Sequence, residues 1–188
     1  MGKLGLGIIG IIVAVGLMLM GLYNGLVTKN LAVTTQWAQV ETQYQRRFDL
    51  IPNLVASTQG VLTQEQKVFG DIAEARTRYS GAATPDERAA AAGQVESALG
   101  RLLVVMENYP QLRSSETVAN LMTELSGTEN RVSVERKRYN DTVSVFNLAV
   151  KTFPTNLIAG FLGFPERKFF EAAEAAATPP KVELNQNP

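Results

Sequence analysis

An uninterrupted apolar run near the N-terminus constrains this chain more than any other feature. The run extends from Leu4 to Tyr23, reads LGLGIIGIIVAVGLMLMGLY and contains no charged side chain. At roughly 1.5 Å per residue, about 20 apolar residues in a helix cross the hydrocarbon core of a bilayer. A cleaved signal peptide with Lys3 as its basic region is the alternative, but no small-residue cleavage site follows the run. We therefore predict a short flank (residues 1–3) and an uncleaved transmembrane anchor (residues 4–23).

Small residues of the predicted anchor share one face of the helix. Five of them lie within about 60° of one another when the chain turns by about 100° per residue. They are Gly7, Gly10, Ala14, Gly21 and Gly25. Such a stripe lets a second helix approach closely, which predicts self-association in the membrane and a homo-oligomer. The alternative, that glycine is simply frequent in membrane helices, stays open.

The charges that flank the apolar run favour one orientation. The α-amine and Lys3 precede the run, whereas only Lys29 follows it within a short distance. By the positive-inside rule, the more basic flank of a membrane helix stays on the cytoplasmic side, so the N-terminus is predicted in the cytoplasm. The larger part of the chain is then extracytoplasmic. The two flanks differ by about one positive charge.

The composition limits the chemistry that the chain can perform. Its 188 residues include no histidine and no cysteine, which excludes imidazole bases, Cys-His nucleophiles, disulfides and metal or haem sites with those ligands. The 18 basic and 18 acidic side chains balance, which disfavours a nucleic-acid partner. We predict no catalytic, cofactor-binding or metal-binding residues and no cofactor, while carboxylate chemistry remains open.

Between positions 24 and 153, apolar side chains recur at steps of three, four and seven, which is typical of the buried faces of long helices. The first run extends over residues 33–79. Residues 84–87 read TPDE and predict a new helix with a capping box, which stops before Pro110. A third run follows over residues 115–153. No alternating strand pattern is present, so we predict an all-α, antiparallel up-and-down helical bundle with coiled-coil-like spacing.

Pro52 leaves the number of helices open. If the first helix only kinks there, the apolar phase carries across and the bundle has three helices. If the chain instead turns back, Asp49 caps a new helix with Pro52 in its first turn, and the bundle has four. Periodicity favours the first alternative, and the lengths of the segments favour the second.

A dense group of charges lies close to Pro52. Arg46, Arg47 and Asp49, with Pro52 and Asn53, form a possible docking motif for a partner or a lipid headgroup. The structural interpretation, which we favour, has Asp49 as a helix cap and the arginines exposed or paired across the bundle.

Two further features belong to the third helical run. Its charges alternate in sign from Glu124 to Arg138, which predicts an exposed face with salt bridges. Gly127 interrupts the same run, although glycine in a helix costs about 1 kcal/mol relative to alanine. Close packing against a neighbouring helix is the simplest explanation for it.

The C-terminal part of the chain contains a short apolar segment (residues 154–171). Its apolar part, Leu157 to Phe164, is only about eight residues long and too short to cross a membrane. It can pack on the bundle, which we favour, or lie in the membrane interface with Arg167 and Lys168 at the level of the headgroups. Its candidate interface residues are Leu157, Ile158, Phe161, Leu162 and Phe164. Residues 172–188 are mostly small, polar or proline and predict a disordered tail.

Three stretches of the chain resemble the LemA family. They read YNGLV with W-x-x-V before QRRFDLIPNLV, then ENYPQL with ELSGTENRVSVERKRYNDTVSVFN, and finally FPTNLIAGFLGFPERKFF. The resemblance implies a single-pass bacterial membrane protein with a soluble four-helix bundle and a largely undefined activity. One branch of the family is linked to the formation of organelle membranes in magnetic bacteria, which suggests membrane organisation.

These features predict a membrane-anchored, non-catalytic scaffold that self-assembles and organises the membrane or partner membrane proteins. The alternative is an accessory or sensor domain that binds a peptide or protein partner. The expected partners are the lipid bilayer, further copies of the chain and another membrane protein, but no nucleic acid. We expect the protein in the bacterial cell membrane, with its soluble domain in the periplasm.

Overall fold

The protein is built from helices. A computed structural model describes residues 2–62 and 65–170, and these ranges contain no strand. The helices are α1 (Lys3–Gln59), α2 (Gln66–Gly81), α3 (Pro85–Glu107), α4 (Pro110–Arg113) and α5 (Glu116–Lys151), and a 3-10 turn (Thr155–Leu157) follows them. The predicted all-α helical bundle after a long N-terminal apolar helix is therefore confirmed. The predicted tail, residues 172–188, lies outside the described residues.

The chain forms two compact units. The first contains α1 as far as Leu50 and the chain from Thr123 to Phe169. The second contains the described residues from Ile51 to Met122. Helices α1 and α5 thus contribute residues to both units, whereas α2, α3 and α4 belong to the second alone.

Antiparallel packing of α1 against α5 forms the first unit. The rings of Trp37 and Tyr139 meet edge to face with centroids 5.3 Å apart. Farther along α1, Tyr44 contacts Arg136, which precedes Tyr139 in α5, so the two helices run in opposite directions. Each helix buries one stripe, as the steps of three and four predict. The buried apolar residues include Leu26, Val33, Val40, Val132, Val143, Phe146 and Val150.

An antiparallel pair, α2 and α3, forms most of the second unit. The carboxylate of Asp71 pairs with Arg101 at 2.7 Å, and Arg78 donates to Gln94 at 3.0 Å. The buried faces combine small and branched side chains, which let the helices approach closely. These residues are Ile72, Ala75, Ala91, Ala92, Val95, Leu99 and Leu102.

The capping box that the sequence predicts at the start of α3 is confirmed. The side chain of Thr84 accepts from the backbone N–H of Glu87 at 3.2 Å. The Glu87 carboxylate accepts from the N–H groups of Ala83 at 2.9 Å and Thr84 at 3.1 Å. These two bonds, with that of Ala83 contributing most, lower the pKa of Glu87 below its usual value.

Helix α1 continues through Pro52 and ends only at Gln59. Phe48, Ile51 and Leu54 are buried on either side of the proline, so the apolar phase carries across it. The hairpin alternative, with Asp49 as the cap of a new helix, is therefore wrong. The chain leaves the helix only at Gly60, eleven residues after Asp49. The run of residues 33–79 is therefore two helices, α1 and α2, so the alternative with three helices is wrong as well, and α1, α2, α3 and α5 are four long helices.

The close-packing explanation of Gly127 is also wrong. A β-carbon built on this glycine has no neighbouring heavy atom within 4 Å. Nothing in the structure explains the glycine at this position of α5.

Candidate membrane-anchoring site

The N-terminal part of α1 exposes apolar side chains in every direction. All residues from 6 to 21 are exposed, including Ile11 at 66% and Leu17 at 65%. A helix packed against protein buries at least one stripe, and this part of α1 buries none. Such a surface matches a hydrocarbon solvent, because apolar groups gain nothing from contact with water.

Two helices among the described residues are long and apolar enough to cross a membrane. One lies within α1, near the N-terminus, and none of its most apolar stretch is buried. The other is α3, whose apolar residues include the buried Val95, Leu99 and Leu102. The core of the second unit accounts for α3, whereas no described residue covers the apolar stretch of α1.

The small-residue stripe lies on this exposed surface. Gly7, Gly10, Ala14, Gly21 and Gly25 are all exposed. No heavy atom lies within 4 Å of a β-carbon built on any of its four glycines. The stripe therefore leaves space for another helix, and the association that it predicts stays a prediction.

Helix α1 begins to pack against the rest of the first unit at Tyr23. The Tyr23 ring contacts the ring of Phe164 edge to face, with centroids 5.8 Å apart. Leu26, three residues later, is 2% exposed and begins the buried stripe of α1. The transition from an exposed to a one-sided helix thus occurs within one turn.

The five candidate interface residues divide between the inside and the outside of the first unit. Phe164 is buried and Ile158 is half-buried. Leu157, Leu162 and above all Phe161, at 94%, are exposed. Packing on the bundle therefore accounts for part of this segment only.

Hydrogen bonds hold the chain that follows Phe164 against α5. The buried side chain of Asn147 donates to the carbonyl of Arg167 and accepts from its N–H, both at 2.8 Å. The Arg167 guanidinium donates to the Asn30 side chain of α1 at 2.9 Å. Asn147 is a residue that sequence reasoning missed, because a polar residue between buried apolar positions resembles an ordinary surface residue.

The structure buries one of the five residues of the proposed docking motif and exposes the other four. Arg47 is 6% exposed and forms an ion pair with Glu129 of α5. Arg46 and Asp49 are exposed, and Asp49 accepts from Gln45 of the same helix at 2.8 Å. Pro52 and Asn53 are exposed as well, and they belong to the second unit. Burial thus removes Arg47 from an exposed motif, and the docking role of the other four residues stays a prediction.

The charged face predicted on α5 is partly turned toward α1, so the prediction of an exposed face is wrong there. Glu129 binds Arg47, and the carboxylate of Glu135 accepts from Gln36 at 2.6 Å. The guanidinium of Arg136 donates to the Tyr44 hydroxyl at 2.8 Å and lies 5.3 Å from the ring centroid. The spacing in the sequence could have indicated that Arg47 is buried, because this residue continues the steps of four and three between Val40, Tyr44 and Ile51.

Several polar pairs of the first unit connect α1 to α5, such as Arg47 with Glu129 and Gln36 with Glu135. Within residues 2–62 and 65–170, no group of three or more acidic residues lies close enough together to hold a metal ion. The ion pair of Arg47 and Glu129 joins α1 to α5, whereas Glu135 and Arg138 pair within α5. The exposed apolar surfaces of the first unit are the features that call for a partner.

Comparisons with known proteins point to one family. The sequence model of the LemA family matches residues 36–184. Magnetosome protein MamQ 2 of Paramagnetospirillum magneticum is 28% identical, over 84% of this chain and 67% of the relative. MamQ of Magnetospirillum gryphiswaldense is 26% identical with the same coverage. Protein LemA of Metamycoplasma hominis is 26% identical, over 72% of this chain and 62% of the relative. About a third of each relative's length thus lies outside the alignment, and none of the three names denotes an enzyme.

Proposed function

Because the chain belongs to the LemA family, we propose that it is a membrane-anchored, non-catalytic protein that self-assembles and organises the membrane or partner membrane proteins. One observation carries the proposal: residues 6–21 of α1 are almost all apolar and exposed on every side. The magnetosome relatives, whose names refer to a bacterial organelle, support a role at a membrane.

The energy of the exposed surface makes the bilayer the first partner. Eleven large apolar side chains between Leu6 and Met20 are exposed. Each contributes about 1.5–3 kcal/mol when it leaves water. Their sum exceeds the whole stability of a typical domain, which is about 5–15 kcal/mol, so this helix belongs in a membrane.

Extraction of membranes at alkaline pH tests the anchor. We expect the full-length chain, with its N-terminal residues intact by mass spectrometry, to stay in the pellet. A chain found in the supernatant with a mass that lacks the apolar run would be the product of a cleaved signal peptide. That result would overturn the anchor.

The small-residue stripe is the proposed surface for self-assembly. Helices in lipid gain no hydrophobic energy from each other, and close backbone approach at glycine provides the attraction instead. Four glycines and Ala14 offer such an approach on one face of α1, where no described atom occupies the space.

Two matched glycine substitutions test the stripe. Gly10→Leu places a large side chain on the stripe, whereas Gly16→Leu places the same side chain about 150° from its centre. We expect Gly10→Leu to abolish crosslinked oligomers in intact membranes and Gly16→Leu to preserve them. Oligomers that survive both substitutions would rule out the stripe, and a strict monomer in the wild type would rule out self-assembly.

We also propose that the bundle is extracytoplasmic, as the charges that flank the apolar run favour. The chain has no cysteine, so a cysteine introduced at the exposed Val134 provides a single site for labelling. An impermeant maleimide reagent added to intact spheroplasts should label this site. If labelling requires lysis, the bundle lies in the cytoplasm.

A groove in the second unit favours the alternative function, an accessory domain that binds a peptide or protein. The groove has a volume of about 410 Å³ and is lined partly by Met106, Leu112 and Met122. Methionine adapts to varied apolar surfaces, which suits peptide binding. Under this alternative, Met122→Glu should lose a co-purifying partner that Gly10→Leu retains. Equal recovery from both variants would count against the groove.

A further inference from the structure

We propose that residues 153–164, which we call the apolar loop, insert into the interface of the same bilayer that α1 crosses. The protein then contacts the membrane at two places, the anchor and the loop. This inference rests on the proposed anchor, since it uses the position of the anchor to define where the membrane is.

The apolar loop exposes large side chains within a short stretch of chain. Phe153 is 75% exposed, Leu157 60% and Phe161 94%. Single exposed apolar residues are common on soluble proteins, but several together mark a surface that binds something. The exposed residues alternate with the buried Thr155, Ala159 and Phe164, so the loop has an inner and an outer side.

The backbone of the apolar loop is folded rather than extended. A 3-10 turn covers Thr155–Leu157, and the N–H of Leu162 donates to the carbonyl of Ile158 at 3.0 Å. The N–H of Phe164 donates to the carbonyl of Ala159, also at 3.0 Å. Gly163 has φ of +79°, which glycine adopts without strain. These turns hold Phe161 outward while Phe164 packs inward.

The contact between Phe164 and Tyr23 fixes the depth of the loop. Tyr23 is the last residue of the apolar run, and aromatic residues at that position lie at the boundary between hydrocarbon and headgroups. The side chain of Asn147 donates to the carbonyl of Arg167, and the Arg167 guanidinium donates to Asn30, so the following chain is held in place. A loop held against Tyr23 therefore reaches the boundary as soon as α1 crosses the membrane.

The charges around the apolar loop match a headgroup region. The stretches 24–30 and 147–169 contain four basic residues, Lys29, Lys151, Arg167 and Lys168, and one acidic residue, Glu166. Lysine and arginine beside an inserted apolar surface contact lipid phosphates. Lys151 pairs with Glu166 at 2.8 Å, and both side chains remain more than half exposed to solvent.

Continuity with the anchor identifies lipid, rather than a second copy or a peptide, as the occupant of this surface. The loop and the apolar run share a border at Phe164 and Tyr23, so one bilayer covers both without further protein. Side chains of interfacial segments enter the headgroup and acyl boundary by about 5–10 Å. A protein partner would have to reach the same border in competition with lipid.

Fluorescent labels on the full-length protein test the proposal in nanodiscs of phosphatidylcholine and phosphatidylglycerol. The chain has no cysteine, so Phe161→Cys, Leu17→Cys and Val134→Cys each provide a single site for a polarity-sensitive dye. Leu17 reports on the anchor, and Val134 is an exposed position of α5, roughly 26 Å of helix before Lys151. The only tryptophan, Trp37, is buried and reports whether each variant keeps its packing.

We expect lipids brominated near the headgroup end of the acyl chains to quench the dye at position 161 and not the dye at position 134. Quenching at position 17 but not at position 161 would overturn the insertion of the loop and leave the anchor intact. No quenching at position 17 would overturn the anchor and the inference together. A dye at position 161 that is shielded from water but not quenched by lipid would assign the loop to a protein partner.

Discussion

Two regions of helix α1 share one backbone conformation and differ in how they distribute apolar side chains. From residue 6 to residue 21 every side chain is exposed and nearly all are apolar. From Leu26 to Leu54 the buried residues form a single stripe, with polar residues between them. The comparison teaches that the pattern of side chains, not the helix itself, reports which solvent surrounds each part.

The largest expected effect is on the free energy of unfolding, and it should differ between two isoleucines of α1. Ile51 is 1% exposed, whereas Ile11 is 66% exposed. Ile51→Ala removes buried methyl groups and should reduce the free energy of unfolding by about 2–5 kcal/mol. Ile11→Ala should leave it unchanged. Thermal unfolding in mild detergent, followed by circular dichroism, measures both, and equal losses would contradict the contrast between the two regions.

A smaller loss of stability should distinguish substitutions at two adjacent arginines in the bundle part of α1. Arg47 is buried and paired with Glu129, which is partly exposed, whereas Arg46 is exposed. Arg47→Ala leaves Glu129 without this partner, and we expect a loss of about 1–3 kcal/mol. Arg46→Ala should change stability by less than about 0.5 kcal/mol. A loss of similar size in both variants, in the same unfolding measurement, would show that the ion pair contributes nothing specific.

A glycine in each region sharpens the comparison further. Gly127 of α5 has open space around its α-carbon, so Gly127→Ala should stabilise the bundle by up to about 1 kcal/mol through helix propensity. Gly10 has equally open space, but Gly10→Ala should change how strongly copies of α1 associate in the membrane rather than the stability of the bundle. Chemical denaturation of the first variant and crosslinking of the second distinguish these outcomes. A destabilised Gly127→Ala would indicate a contact at that site.

The smallest expected effect comes from pH and concerns the bundle alone. The pKa of Glu87 in the folded protein is lowered from its ordinary value of 4.5. The ionised side chain therefore stabilises the fold fully above pH 4.5, and this contribution is lost as the pH falls through the lowered pKa of the folded state. Glu87→Gln removes the titration, and its difference in melting temperature from the wild type should therefore shrink in acid. The apolar run has no acidic or basic side chain, so association with vesicles should stay constant. A difference in melting temperature that does not depend on pH would contradict this role of Glu87.

Much of the fold follows from the sequence because helix signals are local. Periodicity predicts the long helices, and the capping box at Thr84 and Glu87 depends on residues three positions apart. The end of α1 at Gln59 was not predicted, since the apolar steps continue past it from Leu54 to Val68. Prediction of the candidate site was less complete, because the spacing places Arg47 among the core positions of α1 but does not identify Glu129 as its partner.

The sequence by itself determined an apolar run of membrane-crossing length, an all-α bundle and the absence of histidine and cysteine chemistry. These conclusions depend on composition and on neighbours within one or two turns. Only the tertiary structure decided that Arg47 is buried, that Phe164 packs on Tyr23 and that Phe161 faces outward. Each of these depends on partners distant in the chain, such as Glu129, 82 residues after Arg47. The burial of a side chain is a property of the packed chain, and a local pattern indicates only which side chains are available for it.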